Sequence, residues 1–232
     1  MQVRFLWIVL AIFGLSCSVN AQTSFVRLNT NLGNMTIMLY DQTPLHKKMF
    51  LEQIKKGTYK NAHFNRVIKN FVSQAGELDE PILAREALHP EKTPVRLPAE
   101  IDSTLIHKRG ALGAGRDDNP EKSSYINQIY LVAGRTLTDQ ELDSVERKTG
   151  RKIAAAHREI YKAQGGIPRL DFDYTIFGEI VEGLPIAKQI NSVATDKKAM
   201  PLVPVIFNIS ILGKKEVLKF KNSKPQLSLP NP

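Results

Sequence analysis

The sequence predicts a mainly β domain, and two segments support that prediction. Residues 24–28 and 35–40 are short and mostly apolar, and the connection between them includes Gly33, so the two are expected to pair as a hairpin. Residues 64–76 read FNRVIKNFVSQAG. Apolar and polar side chains roughly alternate there, which is typical of a strand with one face buried and the other lining a groove. The chain has 232 residues and no internal repeat, which favours one domain with a sizeable core.

One helix is predicted directly after the hairpin. Thr43 and Pro44 suit the N-cap and the first turn of a helix. Apolar residues then recur at helical spacing from Leu45 to Ile54, and Gly57 stands where a helix C-cap is expected. These signals place a single helix between the hairpin and the FNRVIKNFVSQAG segment.

Two longer segments interrupt the strands. Residues 79–98 contain four prolines and are predicted to form a long excursion over the surface. Within residues 136–166, Thr138 and Glu141 match a capping box, and a glycine pair ends a second helical stretch. We expect residues 136–166 to be an inserted element of two helices beside the groove. The sequence leaves open whether this element shapes substrate choice or adds stability.

Residues 1–21 are expected to be a secretory signal peptide. Arg4 precedes the apolar run 5–15, which is too short to cross a bilayer as a stable helix but suits the apolar core of such a peptide. Val19 and Ala21 are acceptable at the two positions that a signal peptidase reads, so cleavage is predicted after Ala21. The cleaved protein would be periplasmic or secreted, without stable insertion into a membrane.

Cys17 offers a second route of processing. A lipoprotein signal would leave this residue acylated at the new N-terminus, but such a signal prefers an aliphatic residue three places earlier, where this chain has Gly14. The alternative location is therefore that of an envelope lipoprotein anchored through Cys17. Because Cys17 is the only cysteine, cleavage after Ala21 would leave a chain with no disulfide and no thiol nucleophile.

Charge and histidine spacing limit the classes of partner. The formal net charge is +9, and the densest basic stretch lies in the C-terminal tail, residues 214–232. This tail is predicted to be solvated and partly disordered, with weak contact to anionic lipid or polyanions as the alternative. No nucleic-acid motif accompanies it, so no nucleic-acid partner is expected. The five histidines lack the spacing of metal ligands and are expected at the surface or at helix ends, so neither a metal nor a cofactor is predicted.

Residues 64–76 resemble the signature of the cyclophilins, a family of peptidyl-prolyl cis–trans isomerases. That signature runs Phe-His-Arg-Val-Ile, a short linker, Phe-Met, one further residue and Gln-Gly-Gly. The chain keeps most of it, at Phe64, Arg66, Val67, Ile68, Phe71, Gln74 and Gly76. It departs at three positions, with Asn65 for the His, Val72 for the Met and Ala75 for the first Gly.

Two later segments resemble cyclophilin strands in the same order. Residues 107–116 read HKRGALGAGR and resemble Gly-x-Leu-Ser-Met-Ala-Asn, with Gly115 and Arg116 in place of the final Ala and Asn. Residues 127–132 read NQIYLV and resemble Ser-Gln-Phe-Phe-Ile. There the Gln is kept at position 128, and Tyr130 replaces the second Phe.

A last segment completes the resemblance. Residues 170–178 read LDFDYTIFG and resemble Leu-Asp-Gly-Lys-His-Val-Val-Phe-Gly, with Leu170 kept and Tyr174 in place of the His. Asp171 and Asp173 look like a paired carboxylate, but the resemblance puts both in a surface turn. Four segments thus match the family in the right order.

The resemblance implies a fold, an activity and a set of site residues. It implies an eight-stranded antiparallel barrel capped by two helices over residues 22–213, and a monomeric isomerase that helps exported proteins to fold by acting on proline-containing segments. Arg66 would donate a hydrogen bond to the prolyl nitrogen of the twisted bond, and Gln74 would hold the substrate backbone and orient Arg66. The substrate-binding residues would be Phe64, Asn65, Phe71, Val72, Gly115, Arg116, Gln128, Tyr130, Leu170 and Tyr174.

Departures from the family's groove leave a second interpretation open. Asn65, Ala75, Gly115, Arg116 and Tyr174 all replace the residues that are usual there. The protein could instead bind proline-containing segments as a chaperone or assembly module with little or no catalysis. Because the isomerisation needs neither an acid nor a base, loss of the His at position 65 is expected to slow the reaction rather than abolish it.

Overall fold

Eight antiparallel strands close into a barrel in a computed structural model that describes residues 23–223. The strands are β1 (Ser24–Thr30), β2 (Gly33–Leu39), β3 (Ala62–Val67), β4 (Val72–Ala75), β5 (Ala111–Ala114), β6 (Ile129–Val132), β7 (Ile176–Glu182) and β8 (Ile206–Ile211). Their order around the barrel is β1-β2-β7-β5-β6-β4-β3-β8. The barrel that the resemblance implies is therefore confirmed. The predicted signal peptide, with Cys17, lies outside the described residues.

Helices cover the barrel and extend it. They are α1 (Pro44–Lys55), α2 (Asp79–Ala87), α3 (Asp139–Thr149), α4 (Ala155–Ala163), α5 (Leu184–Ile190) and α6 (Lys214–Ser223), with a 3-10 turn at Pro168–Leu170. Phe50 of α1 and Ile190 of α5 join the apolar core of the barrel, so these are the two capping helices. Among residues 23–223, no helix is both long enough and apolar enough to cross a membrane.

The first two strands form the predicted hairpin. β1 and β2 pair from Ser24 opposite Leu39 to Thr30 opposite Gly33, so Gly33 opens β2 instead of occupying the centre of the turn. The Thr30 hydroxyl donates to the Gly33 carbonyl at 2.7 Å and accepts from the Leu32 N–H at 3.0 Å. A side chain thus closes this turn locally.

The FNRVIKNFVSQAG segment is two strands, not the single strand that its alternation predicts. β3 ends at Val67, β4 begins at Val72, and the turn between them holds Asn70 at a φ of 58°. Asparagine tolerates this left-handed conformation better than most residues. The Ile68 N–H donates to the Val72 carbonyl at 2.9 Å and closes the turn. The single-strand prediction is wrong because the alternation of apolar and polar residues does not show where the chain reverses its direction.

Helix α1 begins where the sequence predicts, but its first amides are capped from a distant part of the chain. The side chain of Thr43 makes no capping hydrogen bond. Instead the carboxylate of Glu100 accepts from the N–H groups of Leu45 and His46, at 3.0 and 2.9 Å. A carboxylate at this end also complements the helix dipole. A cap supplied across the fold leaves no trace in the local sequence pattern.

A helix opens the proline-rich segment 79–98. Pro81 lies in the first turn of α2, where a proline costs no helical hydrogen bond. Asp79 and Glu80 place two negative charges at the positive end of the helix dipole. The predicted surface excursion therefore contains a helix that its proline content concealed.

The insertion forms the two predicted helices. Thr138 and Glu141 make a reciprocal capping box at the start of α3. Leu142 of α3 and Tyr161 of α4 are fully buried and pack with Ile106 in a small core outside the barrel. The insertion is thus anchored to the domain by its own apolar contact.

The first ten residues of the basic tail pack against the barrel. They form α6, in which Val217 and Phe220 are only 6% and 7% exposed. The Phe220 ring lies 5.5 Å from the ring of Phe25 between centroids. The prediction of a solvated tail is wrong for α6, because Val217 and Phe220 are spaced to face one side of a helix while Leu218 and Lys219 are exposed. Residues 224–232 lie beyond the described part of the chain.

Candidate active site

A groove on the outside of the barrel collects most of the residues to which the resemblance points. Ten of the twelve predicted site residues line it: Arg66, Phe71, Val72, Gln74, Gly115, Arg116, Gln128, Tyr130, Leu170 and Tyr174. They come from β3, β4 and β6 and from the segments around β5 and the 3-10 turn. Asp79, the first residue of α2, also lines the groove, and no sequence motif pointed to it.

A β-bulge aims Arg66 at the groove. Phe64 of β3 pairs with Ala75 of β4, but Arg66 pairs with Gln74, so two steps along β3 oppose one step along β4. Side chains alternate between the two faces of a regular strand, so without the bulge Phe64 and Arg66 would point the same way. The extra residue, Asn65, breaks that alternation. As a result Phe64 faces the barrel interior while Arg66 reaches the groove.

Phe64 and Asn65 are predicted to bind substrate, but the structure places both outside the groove. Phe64 is 2% exposed, and its ring lies 4.9 Å from the ring of Phe207 in the barrel core. The side-chain amide of Asn65 donates to the carbonyl of Gly76, just after β4. Phe64 therefore belongs to the barrel core and Asn65 to the bulge. A match to a linear signature does not distinguish such structural positions from those that line the groove.

Arg66 and Gln74 form a pair at the edge of the groove. Nη1 of Arg66 donates to Oε1 of Gln74 at 3.3 Å. Arg66 is exposed, whereas Gln74 is buried. A guanidinium stays protonated at any working pH and carries five N–H donors in a rigid fork. This hydrogen bond therefore orients a permanent cation and uses only one of its donors.

The surface beside Arg66 is apolar. Val72, Tyr130 and Leu170 are buried side chains from three different segments, and Phe71 is partly buried next to them. The guanidinium of Arg169 lies 4.6 Å from the centroid of the Phe71 ring, a cation–π contact that holds this ring. A depression with such walls suits an apolar ring of a ligand.

Arg116 and Tyr174 support each other beside this apolar surface. The Arg116 guanidinium lies 4.7 Å from the centroid of the Tyr174 ring, and its Nε donates to the Asp173 carbonyl at 2.7 Å. The Tyr174 ring meets Tyr130 edge to face, with 6.2 Å between centroids and 85° between planes. These two replacements of usual family residues therefore form one supporting pair.

Gln128 is held by the segment that leads into α2. Its Nε2 donates to the Glu77 carbonyl and to Oδ1 of Asp79, both at 2.7 Å. Gly115 makes room for it, because a Cβ at position 115 would lie 1.8 Å from Oε1 of Gln128. We conclude that Gly115 contributes space to the groove wall and that Asp79 fixes Gln128.

Tyr130 turns its hydroxyl away from the groove into the domain. The hydroxyl lies 2.8 Å from Nε2 of His107, whose Nδ1 lies 2.8 Å from Oδ1 of Asp171. Burial, with Tyr174 and Asp171 nearby, raises the pKa of Tyr130 well above its ordinary value, so the hydroxyl keeps its proton. His107 is fully buried and Asp171 is 5% exposed, so the expectations of a surface or helix-end histidine and of a surface turn are wrong for these two residues. Their partners are distant in sequence and leave no local signal.

The two aspartates of the LDFDYTIFG segment do not form a carboxylate pair. Asp173 instead makes ion pairs with Lys122 at 2.9 Å and with Arg151 at 2.8 Å. Although burial opposes it, hydrogen bonds from these two cations lower the pKa of Asp173 below its ordinary value. Within residues 23–223 no group of three or more His, Cys, Asp and Glu side chains could hold a metal ion.

Comparison with known proteins agrees with the fold. Residues 25–210 match the family model described as cyclophilin type peptidyl-prolyl cis-trans isomerase/CLD. The chain is 27% identical to peptidyl-prolyl cis-trans isomerase A of Dickeya dadantii over 214 residues, which cover 89% of this chain and 94% of that protein. It is 26% identical to a peptidyl-prolyl cis-trans isomerase of Acinetobacter baylyi over 195 residues, covering 83% and 86%.

A solved structure shares the architecture. The crystal structure of a cyclophilin type peptidyl-prolyl cis-trans isomerase from Cryptosporidium parvum superposes with a TM-score of 0.59 at 21% sequence identity, covering 83% of this chain and 99% of that one. At this identity the likeness supports the fold. The match of the family model over most of the sequence supports membership. The chain therefore belongs to the cyclophilin-type peptidyl-prolyl cis–trans isomerases.

Proposed function

We propose that this protein isomerises X-Pro bonds in exported polypeptides and that Arg66 stabilises the twisted peptide bond. The observation that carries the proposal is the position of Arg66. Gln74 orients its guanidinium at 3.3 Å, directly beside the apolar surface of Phe71, Val72 and Tyr130. A proline ring held on that surface would bring its nitrogen within reach of the guanidinium.

The reaction requires weaker resonance in one peptide bond. The barrier to rotation is about 18–20 kcal/mol because the C–N bond has partial double-bond character. As the bond twists, the prolyl nitrogen becomes pyramidal and gains a lone pair that can accept a hydrogen bond. A donor aimed at that lone pair binds the twisted form better than either planar form, which lowers the barrier. Arg66 supplies such a donor without any proton transfer.

The other groove residues would hold the chain on either side of the bond. The proline ring would pack on a rigid apolar surface formed by the buried side chains of Val72, Tyr130 and Leu170. Gln74 would contact the substrate backbone while it orients Arg66. With the ring fixed, rotation would carry the residue before the proline, so that the twisted bond stays next to the guanidinium.

Export is the second part of the proposal. It is supported by the apolar run 5–15 that follows Arg4 and by the residues before Ala21, which suit a signal peptidase. The clients would then be proline-containing segments of proteins that fold in the periplasm or outside the cell. We propose that the protein acts there as a monomer, which light scattering on the purified chain would test.

A protease-coupled assay on residues 22–232 tests the activity. A peptide with one X-Pro bond is cleaved only in the trans form, so the slow phase of cleavage reports isomerisation. We expect the rate of the slow phase to rise in proportion to protein concentration. A folded protein that binds the peptide in calorimetry but leaves the slow phase unchanged would favour the second interpretation, a proline-binding chaperone, to which the replacements at Arg116 and Tyr174 point.

A further inference from the structure

A buried chain of hydrogen bonds connects the inserted helices to the groove. The Tyr161 hydroxyl of α4 donates to Oδ2 of Asp171 at 2.6 Å. Oδ1 of Asp171 accepts from the His107 backbone N–H and lies 2.8 Å from Nδ1 of the same ring. Nε2 of His107 lies 2.8 Å from the Tyr130 hydroxyl. All four residues are at most 5% exposed.

The chemistry of the four groups gives the chain a direction. The Tyr130 hydroxyl keeps its proton and can donate to Nε2 of His107, and the ring can then donate from Nδ1 to Oδ1 of Asp171. Burial, with the nearby Asp171, also raises the pKa of Tyr161, so it too remains a donor. Each of these four side chains is thus hydrogen-bonded to the next one in the series.

The backbone leaves space for the Tyr130 ring, in addition to the hydrogen-bond partner that His107 provides. Gly113 of β5 faces it, and a Cβ at position 113 would lie 2.2 Å from Cζ and 2.4 Å from the hydroxyl oxygen of Tyr130. In the pattern that residues 107–116 resemble, a Ser stands where this chain has Gly113, and in the pattern that residues 127–132 resemble, a Phe stands where it has Tyr130. The hydroxyl of Tyr130, the space that Gly113 leaves for it and its buried partner His107 therefore form one set of matched residues.

The position of the Tyr130 ring depends on this set. The ring is a wall of the groove, and its hydroxyl end meets His107, with the two ring planes nearly parallel at 11° and the centroids 6.1 Å apart. A buried hydroxyl without a partner is unfavourable, so loss of the acceptor would drive Tyr130 to seek water from the groove. The groove wall would then lose its apolar character.

We propose that Tyr161 is a positioning residue for the groove. By holding Asp171, and through it His107, it fixes the Tyr130 ring as a wall of the proline pocket, so the insertion of α3 and α4 tunes how tightly the groove binds proline. This extends the proposed function, because it takes the groove as the proline-binding site. It also assigns the insertion a role in substrate binding, one of the two that the sequence leaves open.

A double-mutant cycle tests the proposal. Y161F removes the hydroxyl at the start of the hydrogen-bonded series. Y130F removes the hydroxyl at its other end and keeps the ring. We expect Y161F to weaken the affinity of a short X-Pro peptide at least fivefold in the otherwise unchanged protein, measured by titration calorimetry. In the Y130F background the same change should weaken it less than twofold. An equal loss in both backgrounds, or no loss in either, would overturn the proposal.

A structural control and a second readout keep the result interpretable. L142V trims a fully buried residue of the same small core without touching the hydrogen bonds, so it should lower the melting temperature and leave peptide affinity unchanged. In the protein without peptide, Y161F should shift the aromatic NMR signals of Tyr130, whereas L142V should not. Unchanged Tyr130 signals in folded Y161F would refute the positioning role even if the protein proved to lack isomerase activity, which the protease-coupled assay measures separately.

Discussion

The side-chain oxygen of Gln74 accepts a hydrogen bond from the guanidinium of Arg66 at 3.3 Å, across the strand pair that carries the bulge. Gln74 is buried in the sheet and Arg66 is exposed, so the buried partner orients the exposed one. Because Arg66 lines the groove, this hydrogen bond holds the guanidinium there.

Replacing Arg66 with Ala should lower kcat/KM for an X-Pro peptide at least tenfold, which corresponds to about 1.4 kcal/mol or more of transition-state stabilisation. The fold should persist because Arg66 is exposed. R66K should restore little, since an ammonium cannot copy the geometry of the fork. K69A, at an exposed lysine in the adjacent turn, is the matched control and should behave like the unchanged protein. Full activity in folded R66A would rule out the proposed mechanism.

Replacing Phe71 with Ala should weaken the binding of proline peptides by about fivefold to thirtyfold, because it removes aromatic surface from the ring pocket. Y130A should also weaken binding, and it removes the partner of His107 as well. Titration calorimetry measures both effects. F172A is a control, since Phe172 lies under Arg151 outside the groove and its loss should leave affinity unchanged. Unaltered affinity in both groove variants would mean that the proline site lies elsewhere.

Stability should fall as the pH drops below about 6.5, in part because of His46. Burial lowers the pKa of this histidine from its ordinary 6.5, although Glu100 opposes this effect. Below pH 6.5 the unfolded chain then binds a proton that the folded protein does not, so the free energy of unfolding decreases until the pH passes the folded pKa. Below the folded pKa both states carry the proton, and His46 adds no further pH dependence.

Two measurements check this pH dependence. Urea denaturation between pH 7.5 and 5 should give a decreasing free energy of unfolding, with a smaller decrease in H46Q, which has no titrating ring. Titration of the His46 ring by NMR should give a pKa below 6.5. A measured pKa at or above that value would show that the Glu100 carboxylate, at 2.6 Å from Nδ1, outweighs burial.

The processing route predicts a specific N-terminus. Cleavage after Ala21 should leave a chain that begins at Gln22, in part cyclised to pyroglutamate, and the protein should fractionate as soluble. Acylation of Cys17 would instead leave a lipid-modified N-terminal peptide in the membrane fraction, because each buried methylene contributes about 0.8 kcal/mol. Intact-mass measurement decides between them. A lipid-shifted peptide starting at Cys17 would overturn the predicted cleavage.

Local patterns were sufficient for the elements whose signals lie within a few residues. The first hairpin, α1 and the capping box of Thr138 and Glu141 each depend on residues close together in sequence, and all three are confirmed. The barrel needed the resemblance, because alternation alone does not fix how many strands close a sheet. Ten groove residues were found because the signature segments supply them in order along the chain.

The remaining features depend on contacts between distant residues. Phe64 and Arg66 differ in orientation because of a bulge that only strand pairing reveals. The tail folds onto Phe25, and α1 is capped by Glu100, because residues far apart in sequence become neighbours when the barrel closes. His107 is buried for the same reason. Hydrophobic periodicity records which face of an element avoids water, but it does not record which partner that face will meet, and in this protein the partners determine the shape of the groove.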